Sequence, residues 1–333
     1  MEMEGGKKPS GPSSSSDLSS PVTPVRRAVI DVGTNSVKLL VAEVVHRAVR
    51  PLLERSEQTR LGGGFYETHR LQPAAIARTA RAVADFGVEA ARWGPESVRV
   101  IATSAARDAL NQVELIAAIE NLSGLRVEVI SGEQEADWAF RGVISDPVFA
   151  GRPLLIVDVG GGSSEFILGG KEHQRFRHSF RLGTVRLLEQ FKPSDPPTAS
   201  EWRACSDHLR AFIELEIAPP LERELRAMKT GEVRLVGTSG TTSIMARLEL
   251  GLTSFDRDKI EGARLTRRKV AGQRRHLWSL PLVERKKIAG LPADRADVIL
   301  AGVAIYEALM EWFGFEELLV STRGLRFAAV MEP

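Results

Sequence analysis

The stretch RAVIDVGTNSVKLLVAE (residues 27–43) returns as LLIVDVGGGSSEFILGG (residues 154–170). Each copy reads as an apolar strand, Asp-Val-Gly, a small polar turn, Ser and a second apolar strand. Asp158 falls 127 residues after Asp31. A repeat on this scale implies two related lobes. Length agrees, since 333 residues at roughly 150 per domain give about two domains.

The remainder of the chain alternates strand and helix patterns, which assigns it to the α/β class. VRVIAT (98–103), LRVEVI (125–130), RLVG (234–237) and ELLVST (317–322) read as strands. Pro73 opens a helical pattern over 74–92, Asn111 is placed to cap a helix over 112–121, and a further helix is expected from Gly132 to about Ser145. Longer helical patterns cover 198–228 and 295–313. Residues 1–25 hold seven Ser, four Pro and three Gly. That composition predicts a disordered tail. The lobes are then expected over 26–148 and 149–333, with the last helices, from about residue 303, packing back on the first lobe.

Composition narrows the function classes. Lys and Arg total 45 against 43 Asp and Glu, a net charge of +2. This excludes a strongly basic nucleic-acid binder, and no nucleic-acid partner is expected. No apolar run reaches the roughly 18 residues of a membrane helix, and the N-terminus lacks the apolar stretch of a secretory signal. With the lone Cys205 able to form no intrachain disulfide, the expected location is the cytoplasm. The six histidines show no metal-ligand spacing.

Three glycine-rich turns carry the chemistry. DVGTNS (31–36) is not a Walker A loop, and DVGGGSSE (158–165) runs into apolar Phe166, Ile167 and Leu168, a strand and not the helix of a dinucleotide fingerprint. Either loop alone fits an ordinary hairpin turn. Turn chemistry does not, however, require the Asp before the Gly and the Ser after it in both copies. The doubled pattern points to phosphate binding by backbone N–H groups, helped by Ser36 and Ser163, with GTSGT (237–241) as a third element. Asp31 and Asp158 end their strands, where a carboxylate can hold Mg²⁺ or its water shell.

Colinear motifs over about residues 27–325 resemble the exopolyphosphatase/guanosine pentaphosphate phosphohydrolase (Ppx/GppA) family of the sugar kinase–Hsp70–actin superfamily. They are IDVGTNSVKLLVAEV, RLGGGF (60–65), IATSAARDALN (101–111), VISGEQEA (129–136), IVDVGGGSSEFILG, LGTVRL (182–187), VGTSGTT and RADVILAG (295–302). The resemblance implies a two-lobed actin-like ATPase (ribonuclease H-like) fold, each lobe a mixed sheet flanked by helices, with the active site in the cleft between them. It implies a metal-dependent phosphoanhydride hydrolase using Mg²⁺ (or Mn²⁺) and assembled as a homodimer. In that scheme Glu135 is the base that activates water, Glu165 a second essential acid, and Arg107 a phosphate contact. Asp31 and Asp158 lie by the metal. Gly33, Thr34, Asn35 and Ser36 with Gly160, Gly161, Gly162 and Ser163 cradle the terminal phosphates. Gly237, Thr238, Ser239, Gly240 and Thr241 match the loop that holds a nucleotide in relatives that use ATP.

The scheme is chemically coherent without the name. Phosphoanhydride hydrolysis needs charge neutralised on the transferring oxygens and a water held in line. Glu133 competes with Glu135 as base and ranks below it.

Two departures bear on substrate. Long members carry an additional C-terminal helical domain beyond the point where this sequence ends at Pro333, so processivity on long chains is expected to be reduced. RGLRFAAV (323–330) has Phe327 and Ala328 where the family has Glu and Gly, which puts the C-terminal contacts in question.

Residues 264–287 hold nine Lys and Arg against Glu284 alone. They read either as a solvated helix face or as a track for a polyanion. The track favours inorganic polyphosphate over guanosine pentaphosphate (pppGpp) as substrate. Outside these two, an ATP-dependent kinase and a non-catalytic phosphate or alarmone sensor stay open.

Overall fold

The computed structural model describes residues 23–171, 173–228 and 233–333. Residues 1–22 of the expected tail lie outside the described residues, and Val25 already opens the first strand. Strands β1 (Val25–Val32), β2 (Val37–Val45), β3 (Ala48–Glu57), β4 (Ser97–Ala102) and β5 (Val127–Val129) form one sheet, ordered β3-β2-β1-β4-β5. Strands β6 (Leu154–Val159), β7 (Ser164–Gly170), β8 (His173–Phe180), β9 (Arg234–Thr238), β10 (Arg264–Thr266) and β11 (Glu317–Val320) form the other, ordered β10-β11-β9-β6-β7-β8. Both sheets are mixed, an antiparallel meander joined to parallel strands.

The sequence repeat is a repeat of register. Asp31 pairs with Lys38 and Val32 with Val37 in the first hairpin. Asp158 pairs with Glu165 and Val159 with Ser164 in the second. The Gly33 amide donates to the Ser36 carbonyl at 3.0 Å, and the Gly160 amide donates to the Ser163 carbonyl at the same distance. One turn geometry is thus built twice.

Each meander adds a third strand that the sequence pattern did not yield. Strand β3 (AVRPLLERSE) carries Pro51 at a register shift, and β8 (HQRFRHSF) is largely polar. Both are sheet edges, where one strand flank needs no ladder partner and proline and charge are tolerated.

Alternation along β1 and β2 sends side chains to both faces of the first sheet. Ala28, Ile30, Leu39 and Val41 pack towards the helices Pro73–Ala91 and Gln112–Ser123. Val29, Leu40 and Ala42 pack with Leu325, Phe327 and Ala328 of the short helix Leu325–Met331. The helix Ile299–Phe313 stays in the core of the second lobe. The return of the chain to the first lobe therefore involves only the helix from Leu325 onward, not everything after about residue 303. Phe327 fills that interface at 1% exposure, with the guanidinium groups of Arg257 and Arg323 over its ring.

The helix Gly132–Ile144 lies between the lobes. Ala136, Ala139, Phe140 and Val143 pack on the second sheet with Ile156 and Ile167. Trp138 packs with the first sheet and the C-terminal helix. Ser131 caps this helix, its Oγ accepting from the Gln134 amide at 3.1 Å. Asn111 makes no such cap. Its side chain instead bridges the Leu71 amide and carbonyl at 2.8 and 3.0 Å, because a buried amide satisfies more partners by pinning that neighbouring segment.

Candidate active site

The two hairpin tips face each other across the gap between the lobes. A Cβ added at Gly161 would stand 2.8 Å from the Thr34 Cβ, so the second tip approaches the first at backbone distance. A glycine is required there by contact. Between the tips lies a narrow cavity of about 80 Å³. Its walls include Asp31, both turns (Gly33 to Ser36 and Gly160 to Ser163), Glu135, Asp158 and Glu165. It opens into an outer pocket of about 360 Å³, the two sharing Lys38, Ser239, Gly240 and Arg295.

The third turn contributes less than expected. Ser239 and Gly240 line the cavity, but Gly237, Thr238 and Thr241 are packed inside the second lobe. The Thr238 hydroxyl donates to the Arg323 carbonyl. Gly237 leaves room for Thr242 and the Tyr306 hydroxyl, and Thr241 lies against Gly302. Their work is to fix the start of the helix Ser239–Leu250 relative to β9.

Glu135 sits in the first turn of the interlobe helix, its side chain 14% exposed. Arg107 Nη1 donates to the Glu135 carboxylate at 3.2 Å and to the Ile130 carbonyl at 3.1 Å. Arg107 does not line the cavity; it orients the carboxylate that does. Glu133 points away, 74% exposed and paired with Arg177 at 3.4 Å. The helical period separates the two acids: two residues turn the side chain by about half a revolution. Glu165 Oε1 accepts from Ser163 Oγ at 2.8 Å and from Ser179 Oγ at 2.7 Å.

Four carboxylates crowd this site, and all are pushed above their ordinary pKa. Burial dominates for Asp31, Asp158, Glu135 and Glu165 alike. Glu165 rises to about 7, with Asp158 adding to the effect of burial. Glu135 rises well above its ordinary value through burial, with Glu165 as the second cause and Arg107 opposing. Burial also lowers the pKa of Lys38 and of Arg295. The Lys38 charge acts on both Asp31 and Asp158 and favours their ionised forms.

Lys38 and Arg295 were not anticipated from the sequence as site residues. A signal for Lys38 was available in the repeat, because it holds the place of Glu165 in the first copy. Arg295 had no local signal, since it reaches the cleft only through the fold.

The family model for the Ppx/GppA phosphatase family matches residues 40–331. The chain belongs to the Ppx/GppA phosphatase family. Among Ppx/GppA relatives, Exopolyphosphatase 2 of Mycobacterium tuberculosis (strain ATCC 25618 / H37Rv) is 35% identical over 318 residues, covering 89% of this chain and 94% of that protein. The guanosine-5'-triphosphate,3'-diphosphate pyrophosphatase of Aeromonas hydrophila is 27% identical over 299 residues, 90% of this chain but 57% of that protein. The crystal structure of an exopolyphosphatase from Cytophaga hutchinsonii superposes with a TM-score of 0.81 at 28% identity, covering 91% of this chain and 96% of that one. The two-lobed actin-like architecture expected from the motifs is the fold of this Ppx/GppA chain.

The basic segment 264–287 does not form a track. Arg267 pairs with Glu316, Lys269 with Glu249, Arg274 with Glu307, Arg264 with Glu317 and Lys287 with Glu284, while Arg285 is buried beside Asp195. None of the nine lines the cleft. Acids remote in sequence pair with five of the nine cations, and counting charge along the chain could not reveal them.

Proposed function

We propose that this protein is an exopolyphosphatase that hydrolyses the terminal phosphoanhydride bond of inorganic polyphosphate and releases orthophosphate. The observation that carries the reading is the pair of hairpin turns closing on one cavity with Glu135 on its wall. Backbone amides of the two turns bind the terminal phosphoryl oxygens. Glu135, held by Arg107, positions the attacking water and takes its proton. Glu165, with a pKa of about 7, is able to exchange a proton near neutrality. Lys38 and Arg295 offset charge on the departing chain.

The donor set fits a hard cation. Asp31 and Asp158 offer oxygens only, lie deep in the cleft, and form no cage of three or more ligands among the described residues. Mg²⁺ suits such a site, held by one or two carboxylates with waters and phosphates completing its shell, and Mn²⁺ is the alternative. When bound, the cation neutralises phosphate charge.

The outer pocket supports the choice of a polyanion through Lys38, Arg247 and Arg295, while its Arg326 and Arg55 are engaged by Glu54 and Glu89 and its wall also carries Asp294. Ile244, Phe255 and Pro292 in the same wall favour a second reading, a guanosine pentaphosphate phosphohydrolase whose nucleoside occupies this pocket. Family membership also supports a homodimer. No helix among the described residues is long and apolar enough to cross a membrane; the cytoplasm is the location we propose.

Incubation with polyphosphate, pppGpp or ATP in Mg²⁺, with orthophosphate release measured, tests the assignment. Release from polyphosphate alone supports the first reading, and release from pppGpp alone supports the second. ATP consumed only with a co-substrate indicates a kinase. No turnover of any of the three indicates a sensor.

A further inference from the structure

Three hydroxyl oxygens surround one point beside the second glycine turn. A Cβ built on Gly162 would stand 2.3 Å from the Tyr66 hydroxyl, 2.6 Å from Ser104 Oγ and 3.0 Å from Thr34 Oγ1. By hydrogen-bond geometry the Tyr66 hydroxyl and Ser104 Oγ are both buried without a partner, although the Thr34 hydroxyl lies close enough to the Tyr66 hydroxyl to lower its pKa against the effect of burial. Buried hydroxyls are ordinarily paired, and two orphans at one point mark a place where a ligand or ordered water supplies the acceptor.

Everything else about Tyr66 is fixed. The Glu189 carboxylate of the second lobe accepts from the Gly64 and Tyr66 amides at 2.5 and 3.1 Å. The Arg186 guanidinium lies 4.1 Å from the centre of the Tyr66 ring, and its Nε donates to the Gly162 carbonyl at 2.8 Å. The ring is therefore clamped between lobes while its hydroxyl is left over. Ser104 lines the cavity itself, whereas Tyr66 lines the adjoining pocket with Arg186 and Glu189 and reaches the Gly160–Gly162 turn only through its hydroxyl.

We infer that Tyr66 and Ser104 are phosphoryl-binding residues, donating their two unpaired hydroxyls to non-bridging oxygens of the terminal phosphoryl group seated on the Gly160–Gly162 turn. This rests on the phosphatase reading above and adds two donors to it. Burial holds the Tyr66 hydroxyl protonated, its pKa pushed up to about 12, so it stays a donor throughout the neutral range. Released orthophosphate keeps the same oxygens and meets the same donors, which makes it a usable probe.

The test is Tyr66→Phe, which keeps the ring and its Arg186 contact and removes only the orphan oxygen, with Ser104→Ala as a second variant. Orthophosphate binding is measured by calorimetry, together with the thermal midpoint of the ligand-free protein and kcat and KM on tripolyphosphate. The expected result is an orthophosphate Kd raised about 10- to 100-fold in either variant, the range for lost hydrogen bonds to a charged group. The ligand-free midpoint should stay level or rise, because an unsatisfied group has been removed. Wild-type affinity in both variants overturns the inference. So does a ligand-free midpoint several degrees lower in both, which marks the hydroxyls as structural, or a wild-type protein that binds no orthophosphate at millimolar concentration. Should the wild type bind orthophosphate but cleave no polyphosphate, the proposed activity fails, while loss of binding in Tyr66→Phe still upholds the donors.

Discussion

Lys38 and Glu165 occupy the same place in two copies of one hairpin, Lys38 paired across its ladder with Asp31 and Glu165 with Asp158. The repeat thus conserves geometry while reversing charge at one position. The consequence is that the first hairpin sets a cation beside Asp31 where the second sets an acid beside Asp158, and both line the same cavity. A polyanion end can lie against Lys38 while water is held by Glu135.

Lys38→Met tests that division. The lysine charge favours the ionised forms of Asp31 and Asp158, and removing it leaves buried carboxylates without compensation. A loss of roughly 3 kcal/mol is expected in chemical denaturation. Both folded-state pKa values should rise further, so the deficit should grow as pH climbs from about 4 to neutrality. A deficit independent of pH would show that the lysine acts only by packing.

Glu135→Gln should lower kcat by about 10²- to 10⁴-fold, the range for general base catalysis, without unfolding the protein. Thermal stability at pH 8 should hold or increase, since burial disfavours the charged carboxylate. Retained turnover would remove Glu135 as the base and turn attention to Glu165.

Glu165→Gln bears on pH. In the folded chain Glu165 titrates near 7, against an ordinary 4.5. The folded state thus binds the extra proton, and this residue's contribution to stability falls as pH rises from about 4.5 to 7. The variant should flatten the stability profile in that window and be the more stable protein above it. Urea midpoints at pH 5 and pH 8 measure the difference. A wild-type profile that is already flat there would count against the shift.

Gly142→Ala should be costly although alanine favours a helix. Its Cβ would stand 2.1 Å from the Gly324 carbonyl oxygen, backbone against backbone. Overpacking by 1–3 kcal/mol outweighs a helix-propensity gain of about 1 kcal/mol. Because this contact joins the interlobe helix to the turn before the last helix, kcat should fall as well. A gain in the denaturation midpoint would mean that the two segments separate easily.

Charge variants discriminate between the surface segment and the cleft. Replacing Arg267, Arg268 and Lys269 together by Gln should change KM for long and short polyphosphate alike by less than about twofold, because none of the three lines the cleft and two of them are already engaged by Glu316 and Glu249. Arg247→Gln should raise KM at least fivefold by the loss of about 1 kcal/mol or more, because Arg247 lines the outer pocket and its Nε is buried without a partner. The reverse ranking would restore the surface track.

The repeat made the two lobes and facing turns legible before any coordinates. Asp31, Asp158, Glu165 and the two turns are local in sequence, and the hairpin period carries them to one edge. Glu135 ranks above Glu133 in sequence chiefly through the family resemblance, and the structure separates the two by exposure. What escaped is non-local. Arg107 reads as a phosphate contact until the fold seats it on Glu135. Tyr66 sits in the one-turn helix Phe65–Thr68, too short for any periodicity to mark it. The nine cations of 264–287 look like a patch because their acids, Glu249, Glu307, Glu316 and Glu317 among them, come from other elements. Edge strands β3 and β8 carry polar side chains that a burial pattern cannot detect.

The seven residues Leu325–Met331 cover the face of the first sheet around Val29, Leu40 and Ala42, and Arg27, remote in sequence but adjacent in the fold, donates to the Val330 and Met331 carbonyls. Strand β1 therefore waits for the helix Leu325–Met331, made about 300 residues later, before its apolar underside is closed. During synthesis the first lobe stays unfinished while the intervening second lobe is made, and truncation after Ser321 would leave the candidate site residues present but the face of the first sheet bare.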